Sequence, residues 1–193
     1  MPKQDDLERV EVKSTQELRR WFELNYDQAE SIWLVTYKKT VPDKYVSIQQ
    51  VLDEVLCFGW MDGRRMKLDD ERTMQLLSPR KAKHWSKTYK DRVAELEAAG
   101  RMHEAGLKAV AASKENGMWD FLNDVDALIK PDDLVEALAA NPPALEHYEA
   151  FPPSAKRDIL RWIKLAKKPE TRAKRILKTT QLAAENKRAS GTK

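Results

Sequence analysis

The sequence predicts an α+β protein, with a small antiparallel or mixed sheet and helices in the N-terminal part and a helical unit after it. Three observations carry this. Residues 32–37, IWLVTY, are β-branched or aromatic with one leucine, as a buried strand is. Residues 60–80 form two arms around an acidic turn, as a hairpin does. From residue 86 onward, apolar residues recur at helical spacing between glycine and proline stops. The expected division is an α+β unit at 1–85 and a helical unit at 86–193.

In chain order, Val10 and Val12 read as a short strand. Ser14 or Thr15 offers a cap oxygen to a helix with Leu18, Trp21 and Phe22 on one face. After IWLVTY, Pro42 breaks the strand, and Ser47 caps a helix carrying Val51, Leu52, Val55 and Leu56. Gly59 tolerates the left-handed conformation that ends it. Ser86 caps the next helix, which Gly100 ends, and another runs from about His103 to Asn116. An acidic connector separates Trp119 from Ile129. Pro131 with Asp132 and Asp133 opens LVEALAA, because a helix start tolerates proline and favours negative charge. Asn141-Pro142-Pro143 starts a short helix, Ser154 is placed to cap another with Ile159, Leu160, Trp162 and Ile163, and Pro169 restarts a last one. Trp162 is expected in the core. The segment 187–193 has nothing to bury and is expected to be disordered.

The hairpin admits two registers. A two-residue loop at Asp70-Glu71 pairs Met66 with Gln75, and a three-residue loop at 69–71 pairs Met66 with Met74. The second is preferred, because it gathers Met66, Leu68, Met74 and Leu76 on one face. Continued to the root, it sets Asp62 opposite Ser78 and Trp60 opposite Arg80, so that Trp60, Asp62, Arg64, Ser78 and Arg80 share that face. Trp85 and Ser86 extend the group at the entry to the next helix. Two readings stand: an Asp62–Arg80 pair that closes the hairpin base, or a cleft that binds a small anion with two arginines and a helix N-terminus.

Composition excludes several classes. Hydrophobic residues make up 41% and charged residues 34% of the 193, and no run approaches the roughly 20 apolar residues of a membrane-spanning helix. The N-terminus MPKQDDLERVEV has no apolar signal region, so a cytoplasmic protein is expected. Cys57 is the single cysteine, which rules out an internal disulfide and a multi-cysteine zinc site. His84, His103 and His147 lack metal-ligand spacing, and no metal and no cofactor are expected. There is no P-loop, GxGxxG or GxSxG, and the catalytic residues are unknown.

Residues 156–193 hold thirteen Lys and Arg against Asp158, Glu170 and Glu185, a balance of +10, so residues 1–155 carry 4 − 10 = −6. A basic partner surface is expected at Lys167, Lys168, Arg172, Lys174, Arg175 and Lys178. It is open to nucleic acid, to the acidic remainder of the chain, or to solvent alone. Nucleic acid is less favoured, because no aromatics interleave the cations for base stacking.

The runs CFGWMDG, SPRKAKHWSK, GRMHEAG and FPPSAKRDILRWIKLAKKPETRAKRI resemble the YdeI/OmpD-associated family, the bacteriocin-protection proteins. The resemblance covers about Leu18 to Ile176, and its most specific part lies in a helical segment at about 131–186. Family positions include Trp60, Asp62, Gly63, Arg80, Trp85, Ser86, Trp162, Ala166, Lys167, Glu170, Thr171, Arg172 and Arg175. The resemblance implies a role in protection against bacteriocins or antimicrobial peptides and an association with a porin, with no agreed molecular activity. The leading expectation is a non-enzymatic stress or protection protein that binds a protein partner or a small anionic ligand. The alternatives are an enzyme acting on a small anion at the Trp60–Arg80 cleft and a nucleic-acid-binding accessory protein.

Overall fold

The computed structural model describes residues 6–81 and 83–189. It divides into two compact units, Met1–Asp120 and Phe121–Lys193. The first holds β1 (Arg9–Glu11), α1 (Thr15–Asn25), β2 (Ile32–Tyr37), α2 (Ile48–Cys57), β3 (Trp60–Lys67), β4 (Arg72–Pro79), α3 (Lys87–Ala98) and α4 (Glu104–Glu115). The second holds α5 (Asn123–Asp126), α6 (Asp132–Ala139), α7 (Pro142–Ala150), α8 (Pro153–Lys164) and α9 (Pro169–Ala184). The fold is α+β. The division expected at 85/86 falls at 120/121, because α3 and α4 pack on α2.

The sheet has the order β1-β2-β4-β3 and is mixed, with β1 parallel to β2 and the other pairs antiparallel. The central position of β2 explains why IWLVTY is buried along its whole length. Ile32 and Leu34 join the main cluster with Leu18, Phe22, Val51 and Val55 of α1 and α2. Trp33 and Val35 alternate to the opposite face, where they meet Met74. Ser14 caps α1, and Ser47 and Gln50 form a reciprocal capping box at the start of α2.

The hairpin follows the preferred register at its tip and departs from it at its root. Met66 pairs with Met74, and the Leu68 N–H donates to the Arg72 carbonyl at 3.1 Å. Between Asp62 and Arg65 the register shifts by one residue, so Asp62 lies opposite Leu77 and Trp60 opposite Pro79, in place of Ser78 and Arg80. Gly63 and Arg64 share the place of one residue in a β-bulge. A Cβ on Gly63 would lie 3.3 Å from Leu76 Cβ. The extra residue turns the root over. Trp60 and Asp62 face the helices, whereas Arg64 lies on the other face with its guanidinium 5.4 Å from the Trp33 ring. The single face expected for Trp60, Asp62, Arg64, Ser78 and Arg80 is therefore split in two.

Charge as well as apolar contact holds the first unit together. Asp53 and Glu54 on α2 are almost fully buried. Arg92 of α3 grips Asp53 with two bonds of 2.6 and 2.5 Å. Arg101 and Arg19 reach the two oxygens of Glu54 at 2.6 and 3.0 Å. Burial works to raise the Asp53 carboxyl, but the bonds from Arg92 and Gln49 and the charges of Arg92 and Arg101 outweigh it and hold the group below the usual range. A depressed folded-state value means that the stabilisation is present above the unfolded value of about 4 and is lost as pH falls through the folded one. The expected result is acid unfolding below about pH 4, with Asp53→Asn flattening that limb in a pH series of denaturant titrations.

In the second unit, Leu134, Leu138, Tyr148, Ile159, Leu160, Ile163 and Ile176 form the core, and α9 rests on α6, α7 and α8. The helix expected to be capped by Ser154 begins at Pro153, with Pro152 in the cap position and no side-chain cap. Trp162 lies at the margin of the core and is not enclosed by it. Its ring is flanked by Arg175 at 5.2 Å and Lys178 at 5.8 Å, and the Arg175 guanidinium donates to its carbonyl. Trp162→Ala should therefore cost about 1–2 kcal/mol, below the roughly 3–5 of an enclosed ring, as chemical denaturation would read. Within the expected tail, Lys187 pairs with Glu185 at 2.7 Å and Ala189 is buried. Residues 190–193 lie outside the described residues.

Candidate functional site

The root of the hairpin leads into the segment before α3, and a cleft opens beside it. Its volume is about 270 Å³, and its lining includes Asp62, Ser31, Ser78, Lys81 and Lys83. The bulge at Gly63 and Arg64 is what brings Asp62 here. Its two oxygens are held from within the unit: Tyr89 of α3 donates to Oδ1, and Gln75 Nε2 donates to Oδ2 at 3.3 Å. Each oxygen keeps a further lone pair. On the opposite wall the Ser31 and Ser78 hydroxyls lie 2.7 Å apart. One hydroxyl hydrogen is used between them, which leaves the other as a donor.

Arg80 follows Pro79, a residue of the lining, and its guanidinium carbon lies 3.6 Å from the centre of the Trp85 ring. Burial pushes its pKa down to about 10, although the charges of Tyr89 and Asp62 work in the other direction. Its Nη1 donates at 3.4 Å to the Lys83 carbonyl, and its Nε is buried with no acceptor. The Trp85 Nε1–H beneath it is likewise buried and unpartnered. Among the described residues, Arg80 forms no ion pair, and neither does Lys81 or Lys83. The cleft lining thus sets two cations, Lys81 and Lys83, against one carboxylate, and that carboxylate is hydrogen-bonded by Tyr89 and Gln75, not by Arg80. The expected Asp62–Arg80 clasp is not formed.

The other expected residues sort clearly. Trp85 and Ser86 lie just before α3, with Ser86 as its N-cap. Trp85 is enclosed and carries Arg80, and Ser86 accepts from the Tyr89 N–H at 3.4 Å, which fixes the turn that presents Tyr89 to Asp62. Trp60 is packed away from the cleft, donating to the Tyr26 carbonyl at 2.8 Å amid Trp21 and Phe22. Arg64 lies across the sheet from Asp62. The residues missed are Ser31, Gln75, Lys81, Lys83 and Tyr89. Tyr89 had a signal, since it sits three residues after a capping serine.

On the second unit, the expected basic surface is partly consumed. Arg172 pairs with Asp133 at 2.6 Å, and Arg175 packs on Trp162. Lys167, Lys168, Lys174 and Lys178 form no ion pair among the described residues. Counted by unit, residues 1–120 hold 21 cations and 21 acids, and residues 121–193 hold 14 and 10, so the whole +4 lies in the second. The acidic stretch that offsets the basic helix is residues 121–155, with Lys130 against seven acids. The neutralisation is internal to one unit.

The family described as a domain of unknown function, DUF8412, matches residues 10–109, more than half of the chain. The chain belongs to that family. The DUF8412 region takes in the sheet but for Arg9, α1 to α3 and the first half of α4, and hence every residue of the cleft. A second family, described as bacteriocin-protection, YdeI or OmpD-associated, matches residues 127–186, which hold α6 to α9. No curated protein and no solved structure matches the chain. Among the described residues, no helix is long and apolar enough to cross a membrane.

Proposed function

We propose that the DUF8412 unit binds a small anion in the cleft beside Arg80, and that this binding serves a protective role of the kind the second family's name describes, in the cytoplasm. One observation carries the reading: Lys81 and Lys83 line the cleft and Arg80 adjoins its lining residue Pro79, none of the three forms an ion pair among the described residues, and the lining carboxylate, Asp62, is already hydrogen-bonded by Tyr89 and Gln75. A guanidinium stripped of water without a counter-ion is costly, and an anion arriving between it and two solvated lysines offsets that cost. The unused lone pairs of Asp62 suit a ligand that carries a hydroxyl or amine donor beside its anionic group.

Binding is preferred to catalysis on the chemistry of the groups present. Burial pushes the Cys57 thiol up to about 11, with Glu54 adding to the effect, so it is protonated at neutral pH. Burial and the bond to Asp62 raise the Tyr89 hydroxyl, so it holds its proton at neutral pH and is a poor base.

Calorimetry with inorganic phosphate and with citrate tests this on the full chain. Saturable binding is expected, lost in Arg80→Gln and weakened about tenfold in the Lys81→Gln, Lys83→Gln double variant. The two lysines are exposed, so that double variant leaves the fold intact. Undiminished affinity in it, or no heat with either anion, contradicts the reading.

A further inference from the structure

The outward side of α9 is a surface that the cleft does not explain. This helix has its bed on α6, α7 and α8, and on its remaining side Ala173, Lys174, Leu177, Lys178 and Gln181 are exposed. Leu177 stands at the centre of that side, 57% exposed. Two grooves run beside it, of about 740 and 520 Å³, and Leu177 lines both. Their chemistry differs. In the smaller groove Arg172 and Asp133 neutralise one another, which leaves an apolar floor of Ala137, Ala173 and Ile176. The larger one is edged by Lys174 and Lys178, four residues apart on one helical stripe and in no ion pair among the described residues, while its one lining carboxylate, Glu185, is paired with Lys187 at 2.7 Å.

We propose that this side of α9 docks an acidic amphipathic helix of a partner protein, with a leucine-type anchor beside Leu177 in the neutral groove and a row of carboxylates along Lys174 and Lys178. Charge complementarity commits the occupant. An apolar partner would strand two lysines, and a polyanion without an apolar face would leave Leu177 and the neutral groove uncovered. The groove fits the way a helix presents one apolar stripe beside one charged stripe at helical spacing. The proposal is independent of the cleft, which lies in the other unit.

Fluorescence anisotropy of the full chain tests it, with three labelled probes: a peptide of leucine and glutamate in amphipathic order, the same residues scrambled, and a single-stranded oligonucleotide. The ordered peptide is expected to bind at least about tenfold more tightly than the scrambled one, and to lose about tenfold in either Leu177→Ser or Lys174→Glu. Both residues are exposed, so the fold survives their replacement, which circular dichroism would verify. Rising salt should weaken the complex. Three results overturn the proposal. One is equal binding of ordered and scrambled peptides, and another is no peptide binding. The third is oligonucleotide binding that exceeds the peptide's and ignores Leu177→Ser, which would make the stripe a general polyanion surface.

Discussion

Glu54→Ala should lower the stability of the N-terminal unit by about 3–5 kcal/mol, among the largest effects of any single substitution in it. Glu54 is 1% exposed and receives Arg101 at 2.6 Å and Arg19 at 3.0 Å. Removal of the carboxylate leaves two guanidiniums facing a small void and the buried Asp53 next to them with one compensating arginine displaced. Arg19 and Arg101 keep 35% and 38% of their side-chain exposure, so they can turn toward water, which places the loss toward the lower end. Glu54→Gln keeps the shape and one acceptor and should fall between wild type and alanine. Chemical denaturation of each variant, with Arg101→Ala to close a double-mutant cycle, measures the coupling. A loss under about 1 kcal/mol for Glu54→Ala would mean that the pair is no better than a surface ion pair.

Gly106→Ala should cost about 3 kcal/mol, the upper end of overpacking, or prevent folding of the unit. The start of α4 crosses the end of α2 so closely that a Cβ at position 106 would lie 2.2 Å from the Cys57 carbonyl oxygen. Backbone lies on both sides of this contact, so no side chain can rotate to relieve it. The His103 N–H donates to the same carbonyl at 3.1 Å, which pins the crossing. Gly59, in the left-handed region at φ +71°, faces α4 from the other side, with its absent Cβ 2.9 Å from Ala109 Cβ. The motif GRMHEAG is thus the α4 half of a close helix crossing. Thermal unfolding of Gly106→Ala against Gly100→Ala separates the two causes, since nothing lies within 4 Å of a Cβ at Gly100 and only its backbone is strained.

Much of the fold was legible because it follows local rules. Ser14, Ser47 and Ser86 cap helices, the uniformly apolar IWLVTY is a central strand, and Met66 meets Met74 across the hairpin. What escaped depends on a single residue count. The bulge at Gly63 and Arg64 adds one residue to one arm, and a period of two means that one residue reverses the face of everything beyond it. Arg64 leaves the site for that reason, and Trp60 turns into the aromatic core. Ser31 joined the site through tertiary folding, which no spacing in sequence expresses, and the spacing from Ser86 marks Tyr89 as the N3 residue of a helix without showing that it reaches Asp62. The unit boundary was displaced because the change in pattern at residue 86 marks the end of the sheet, not the end of the core, and α2 still needed α3 and α4 to cover it.

The indole resonance of Trp85 offers the most direct measurement of the cleft. Trp85 is 1% exposed, its N–H has no partner, and it lies against the Arg80 guanidinium. In a ¹H–¹⁵N titration of the full chain with inorganic phosphate, an anion drawn to Arg80 should move the Trp85 indole peak saturably while the Trp60 peak stays in place, because the Trp60 indole N–H is already bonded to the Tyr26 carbonyl. The same titration on Arg80→Gln should leave both peaks still. A Trp85 peak that never moves in the wild type, or that moves identically in Arg80→Gln, would contradict anion binding at this site.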